Sequence, residues 1–103
     1  MPLALDESSL LTARLERWNG QLVDWAVVWS KTQVDGTPRE QMCIDTGHGF
    51  IHKHVGRHRR ETAIVIRPIL TQDDVQDSYA LAYDEVYDAY LEDAKVEAEN
   101  NDN

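Results

Sequence analysis

The chain has 103 residues, 42% hydrophobic and 28% charged, a composition typical of one globular domain and unlike that of a disordered chain. Cys43 is the only cysteine, which excludes an internal disulfide and fits a reducing compartment. No apolar run approaches the ~20 residues that cross a bilayer, and the first residues lack the pattern of a signal peptide. We therefore expect a cytoplasmic protein without a membrane partner.

The net charge of −9 is divided unevenly along the chain. Residues 1–70 carry nine Lys/Arg and eight Asp/Glu, whereas residues 71–103 carry eleven acids against Lys95 alone. Charge of one sign concentrated in one third of the chain indicates something about partners and nothing about the fold. The last third is therefore the first candidate for a binding surface.

Five strands are predicted in the first two thirds of the chain. The first has alternating apolar residues, although its Leu, Ala and Arg content also suits a helix. Asn19-Gly20 follows it and predicts a hairpin, which favours the strand. In the second strand Trp25, Val27 and Trp29 share one face and should anchor the core. The predicted strands are residues 10–17, 22–31, 39–45, 50–55 and 62–67.

The hydrophobic period changes at Thr71. Thr71 is followed three residues later by Asp74, a variant of the capping box, and apolar residues then recur at helical spacing to about Ala94. We predict a single α+β domain over residues 1–96, with a polar, disordered tail over residues 97–103. Its fold class is an antiparallel meander of about five strands with one long, amphipathic, acidic C-terminal helix packed on one face.

All four histidines and the densest positive charge fall between Met42 and Arg60. In a strand over residues 50–55, His52 and His54 project to the same side, about 7 Å apart. Two imidazoles at that separation can ligate one metal ion or flank one phosphate group. The spacing permits either chemistry and requires neither.

A metal site here would need a third ligand, for which Asp45 and His48 are nearest in sequence. Such a mixed histidine and carboxylate set suits zinc or another first-row ion and leaves a position open for water. Because no HExxH or paired CxxC motif accompanies these residues, we predict no metal and no other cofactor. If an ion is bound, its candidate ligands are Asp45, His52 and His54.

Metal-independent catalysis is an alternative use of the same segment. Histidine titrates near neutrality and arginine binds phosphate in a bidentate manner, the chemistry that RNA cleavage needs. A further interpretation is that these are ordinary surface residues around a charged hairpin tip. The candidate catalytic residues are His48, His52, His54, Arg57 and Arg59.

A resemblance rests on the ten residues from Asp45 to His54, which read DTGHGFIHKH. This stretch resembles small prokaryotic and phage proteins with a D-T-x-H-G-x-x-H-x-H turn, and it is more distantly similar to the TumE family of toxin–antitoxin pairs. The resemblance implies a toxin ancestry directed at RNA or translation, and it nominates Asp45, His48, His52 and His54. Residues 10–95 follow the same order of elements.

The predicted helix gives a different expectation. From Gln72 to Glu99 it would span about 42 Å, over which a single nucleic-acid strand carries about 12 phosphates. A net charge of −10 over residues 71–103 is comparable with that strand. The acids could therefore mimic nucleic acid, form an ordinary solvated face, or screen the basic hairpin within the same fold.

Our leading prediction is a non-enzymatic protein that binds a basic protein or nucleoprotein, as an inhibitor or nucleic-acid mimic of the phage anti-defence, anti-CRISPR type. The alternative is a TumE-like toxin or ribonuclease that uses the histidine segment. Direct binding to nucleic acid is expected only under that alternative. The predicted partner-binding residues are Asp77, Asp84, Asp88 and Glu92, which supply the charge, and Tyr83 and Tyr87, which we expect to be exposed aromatic anchors.

Overall fold

The computed structural model describes residues 2–47, 49–56 and 64–101. These residues form a six-stranded antiparallel sheet and a C-terminal helix packed on it, which confirms the α+β fold class. Each strand pairs with the next along the chain, so the sheet is a meander. The elements are β1 (Pro2–Ala4), β2 (Ser9–Trp18), β3 (Gln21–Thr32), β4 (Pro38–Gly47), β5 (Phe50–Val55), β6 (Ile64–Pro68) and α1 (Gln72–Asn101).

The sheet differs from the prediction mainly at its first edge. β1 was not predicted, because its three residues are too few to show an alternating pattern, and it forms by pairing with Leu10 to Thr12 of β2. Pro38 begins β4 opposite Thr32, a strand position at which proline is tolerated. Residues 62 and 63 of the predicted fifth strand lie outside the described residues.

The predicted Asn19-Gly20 hairpin is confirmed. Both residues have positive φ, 50° and 76°, as a two-residue turn between twisted strands requires. The turn places Trp18 opposite Gln21, and the pairing then continues along β2 and β3.

One face of the sheet packs against α1, which lies over β3 and β4. Trp25, Val27 and Trp29 are buried there, as predicted. The indole Nε1 of Trp25 donates a hydrogen bond of 2.8 Å to the carbonyl oxygen of Val75, fixing the first turn of the helix on the sheet. The buried core consists of Leu11, Leu22, Trp25, Val27, Trp29, Ile44, Ile51, Val75, Ala82, Val86 and Tyr90.

The predicted capping box at the start of α1 is confirmed. The backbone N–H of Asp74 donates to Thr71 Oγ1 (3.3 Å), and the backbone N–H of Thr71 donates to Asp74 Oδ2 (3.0 Å). The Asp74 carboxylate also pairs with Arg67 at 2.6 Å. The backbone N–H groups of Leu70 and Thr71 donate hydrogen bonds to the Asp74 carboxylate, and these bonds hold the pKa of Asp74 below its ordinary value.

The helix is longer than its apolar stripe. It continues to Asn101, into the segment 97–103 that we predicted as a disordered tail, although Lys95 to Glu99 are all exposed. Alanine and glutamate in this last part are good helix formers, so the backbone pattern continues beyond the last core contact. The single domain over residues 1–96 stays a prediction.

Candidate functional site

The paired strands β4 and β5 bring the candidate histidines to the sheet face that α1 leaves uncovered. Ile44 and Ile51 lie in the core under the helix, so their neighbours along each strand point the other way. The strand register places Asp45 directly opposite His52. It also places Cys43 directly opposite His54. Residues directly opposite each other share a face, so these four side chains form one group.

Three of the four side chains converge closely enough to hold one ion. One ligand atom from each of Asp45, His52 and His54 lies within 4.8 Å of the other two. His54 Nε2 is 3.7 Å from Asp45 Oδ2, and the two imidazole centroids are 6.1 Å apart. We call Asp45, His52 and His54 the histidine cluster.

The histidine cluster is half-buried. The side chains of His54 and Asp45 are 14% and 21% exposed. His52 Nε2 is buried and has no hydrogen-bond partner in the part of the chain that the structure describes. Buried polar atoms are normally paired, so this nitrogen has an acceptor or ligand position left to fill.

The place of Cys43 in this site was not predicted from the sequence. The thiol is buried at 1% exposure, and its Sγ lies 3.6 Å from Asp45 Oδ2. The signal was present, because Cys43 and Asp45 are two residues apart in a predicted strand and must share a face. What the sequence could not supply was the register that sets this pair against His52 and His54.

The remaining candidate catalytic residues, His48, Arg57 and Arg59, lie outside the described residues. The structure therefore brings together two of the five candidate catalytic side chains, His52 and His54, and adds Asp45 to them.

The outer face of α1, turned away from the sheet, carries four of the predicted partner-binding acids. Asp77, Asp84, Asp88 and Glu92 are exposed. None of them pairs with a cation among the described residues, where the ion pairs of α1 involve other acids.

The ion pairs of α1 lie along its flanks. Lys31 of β3 contacts Asp93 at 2.5 Å and Glu97 at 2.7 Å, and Lys53 of β5 contacts Glu85 at 3.7 Å. Partial burial lowers the pKa of Lys31, but its hydrogen bonds to Asp93 and Glu97 outweigh that effect and raise the pKa above its ordinary value. Sheet cations thus neutralise flank acids and leave the outer acids charged.

The two predicted aromatic anchors differ in position. Tyr87 is 37% exposed on the outer face, as expected. Tyr83 is half-buried and packs against the core, with its ring edge-on to Tyr79 at 6.2 Å, so the expectation that it is exposed was wrong. The helical position of Tyr83 turns it toward the sheet, and the aromatic content of the helix alone did not show this.

Two exposed leucines complete the outer face and were not predicted. Leu81 is 67% exposed and Leu91 is 46% exposed. Leu91 falls in one stripe with Asp84, Tyr87 and Asp88, at relative positions i, i+3, i+4 and i+7. The outer acidic face, defined by Asp77, Asp84, Asp88 and Glu92, therefore also offers apolar contact area.

Comparison of the chain with protein-family models, with curated proteins and with solved structures finds no match. In the described part of the chain, no helix is long and apolar enough to cross a membrane.

Proposed function

We propose that this protein is a small acidic interaction protein whose outer acidic face docks on a basic, nucleic-acid-binding partner. The observation that carries the proposal is the separation of charges around α1. Lys31, Lys53 and Arg67 pair with acids on the sheet side or at the helix start, and the outer acids keep their charge. A field that is not neutralised within the described fold is available to a partner.

The spacing of the outer acids supports a rod-like contact. Asp77 and Glu92 are fifteen positions apart, which is about 22 Å along a helix. Asp84 and Asp88, like Asp88 and Glu92, are like charges four residues apart, and each such pair destabilises a helix by a few tenths of a kcal/mol. This arrangement does not stabilise the fold. It does favour binding to a partner with a basic channel.

The exposed apolar groups give the contact a local anchor. Tyr87 and Leu91 lie between and beside the acids of the same stripe. In protein interfaces, aromatic anchors supply much of the affinity, while surrounding charges set the encounter rate and its salt dependence. A partner that normally holds a nucleic-acid strand in a basic channel fits this combination, so the protein acts as an inhibitor of the phage anti-defence, anti-CRISPR type.

The test uses two variants that change the net charge equally. Asp84→Asn with Asp88→Asn removes two outer acids, and Glu7→Gln with Glu16→Gln removes two exposed acids outside the helix. The immobilised full chains are exposed to the lysate proteins that are retained on a DNA column. We expect a protein captured by the wild type and by the Glu7/Glu16 control, lost with the Asp84/Asp88 variant, and released by single-stranded DNA. Equal capture by all three chains contradicts the proposal.

A second candidate function is RNA cleavage at the histidine cluster, in the manner of a TumE-like ribonuclease. The convergence of Asp45, His52 and His54 favours it, because a carboxylate beside one imidazole can orient that ring for proton transfer. The assay incubates labelled single-stranded RNA with the protein in the presence of EDTA. Cleavage that is lost in His52→Ala with His54→Ala and retained in the Asp84/Asp88 variant supports this function, and no cleavage by the wild type removes it.

A further inference from the structure

We propose that Asp45, His52 and His54 form a binding site for one divalent first-row transition-metal ion, of which zinc is the candidate to test first. The set of donor atoms suits such an ion. Two imidazoles and one carboxylate are the ligands of open zinc sites and of mononuclear iron(II) sites. Both kinds of site keep at least one position for water or substrate.

The distances between the three donor atoms also suit an ion. Three donor atoms that all lie within 4.8 Å of one another surround a point no more than about 2.8 Å from each of them, compared with about 2.0–2.2 Å for zinc ligands. Each donor must therefore move inward by less than 1 Å. Small rotations of three side chains on neighbouring strands supply that shift without a change in the backbone.

The surroundings of the histidine cluster also favour an ion. His52 Nε2 is buried and has no hydrogen-bond partner among the described residues, although a neutral imidazole nitrogen without a proton is an acceptor. An ion ligated through Nε2 of His52 would satisfy this nitrogen. The half-buried position of the cluster also limits access of water, which strengthens the attraction between the Asp45 carboxylate and a cation.

Cys43 adds an outer contact to the site. Its Sγ is 3.6 Å from Asp45 Oδ2, within reach of a thiol hydrogen bond to that carboxylate. Outer partners of this kind orient the ligating carboxylate, so Cys43 is a positioning residue in this proposal. Cys43→Ser, which keeps a donor of similar size, should bind the ion more tightly than Cys43→Ala.

The metal site is independent of the outer acidic face, because the two lie on opposite sides of the sheet. It excludes the metal-free ribonuclease at the same atoms, because a nitrogen that ligates an ion has no lone pair left to accept a proton. Metal occupancy therefore also decides between two uses of the histidine cluster.

The experiment titrates the EDTA-treated and dialysed full chain with Zn²⁺ by calorimetry and with Co²⁺ by visible absorbance. We expect one ion per chain and an affinity lowered at least about 100-fold in each of Asp45→Asn, His52→Ala and His54→Ala, since even outer partners cost 10–100-fold. Asp84→Asn with Asp88→Asn is the matched control and should leave the affinity unchanged, because it removes only helix carboxylates.

Three results would overturn the proposal: no binding to the wild type at millimolar metal, binding that the cluster variants leave unchanged, or binding that the Asp84/Asp88 variant abolishes. Circular dichroism of each metal-free variant checks that it is folded. If His52→Ala fails to fold, His52→Gln takes its place. The Co²⁺ spectrum of the wild type gives an independent readout, since a spectrum that stays that of hydrated Co²⁺ contradicts the site.

Discussion

The sheet face opposite α1 and the outer face of α1 carry different chemistry. The histidine cluster is half-buried and brings two imidazoles and one carboxylate to within 4.8 Å of one another. The outer acidic face spreads exposed carboxylates along a helix of 30 residues. Convergent donors suit a small ion or a reacting group, whereas a long line of charges suits a macromolecule. The two proposed sites share no residue, so separate variants can test each of them.

The largest effect is expected at the contact between the sheet and α1. Trp25 has no exposed surface, contacts Tyr79 and bonds to Val75 of α1. Trp25→Ala should lower the free energy of unfolding by about 3–5 kcal/mol, because it leaves a large cavity and removes the indole hydrogen bond to α1. Chemical denaturation followed by circular dichroism measures the loss. A loss below 1 kcal/mol would show that α1 does not depend on this contact.

The next effect separates the two faces by their ligands. Zn²⁺ at about 100 times its Kd should stabilise the wild type by about 2.7 kcal/mol, because an ion that binds only the folded chain shifts the folding equilibrium toward it. His54→Ala should abolish the stabilisation, while Asp84→Asn with Asp88→Asn should retain it. Thermal unfolding with and without Zn²⁺ makes the measurement. Stabilisation that follows the helix acids and ignores His54 would erase the distinction between the faces.

A smaller effect is expected on the flank of α1. Lys31→Met removes the ion pairs with Asp93 and Glu97 and should cost about 1 kcal/mol or less, because the partner carboxylates are accessible to salt. The pKa of Lys31 is raised, so its contribution is fully present below about pH 10 and is lost as the pH rises through the raised value.

The check for Lys31 is the difference in unfolding free energy between the wild type and Lys31→Met, measured between neutral pH and pH 11. The difference should shrink at the alkaline end. A constant difference would mean that Lys31 stabilises the fold through packing of its methylene chain and not through charge.

An effect of similar size is expected in the loop before β2. Backbone hydrogen bonds from Ser8, together with bonds from Tyr90 and Ser9, hold the pKa of Asp6 below its ordinary value. A lowered carboxyl pKa contributes stability that is present above about pH 4 and lost as the pH falls through the lowered value. Asp6→Asn should therefore cost about 1 kcal/mol or less at pH 7 and progressively less in acid. A cost that stays the same at pH 2.5 would contradict this account.

The two faces also differ in how far the sequence could predict them. The outer acids follow from the period of a single helix, so Asp77, Asp84, Asp88 and Glu92 could be placed without knowing the rest of the fold. The edge of the apolar stripe was less well defined, and Tyr83, which lies alongside the stripe, was wrongly expected to be exposed. Helical periodicity predicts a stripe, but packing decides where its edge lies.

The histidine cluster depends on contacts between strands. The sequence showed that His52 and His54 share a face, because they are two residues apart in one strand. That Asp45 faces His52, and Cys43 faces His54, depends on the register of β4 against β5. Turn length and core packing set that register. A one-residue slip would have placed the two histidines on the opposite side of the sheet from Asp45 and Cys43. β1 was missed for a similar reason, since its pairing with β2 leaves no pattern in three residues.

The most direct measurement for the central claim is the association rate of the captured partner at two salt concentrations, about 50 and 200 mM. We expect the wild type and the Glu7/Glu16 control to associate at the same rate, and we expect both rates to fall steeply with salt. The Asp84/Asp88 variant should associate roughly 10-fold more slowly at low salt and depend less on salt, because its local field is weaker. Identical rates and salt slopes for the two double variants would contradict the account, since overall charge and not the outer face of α1 would then control binding.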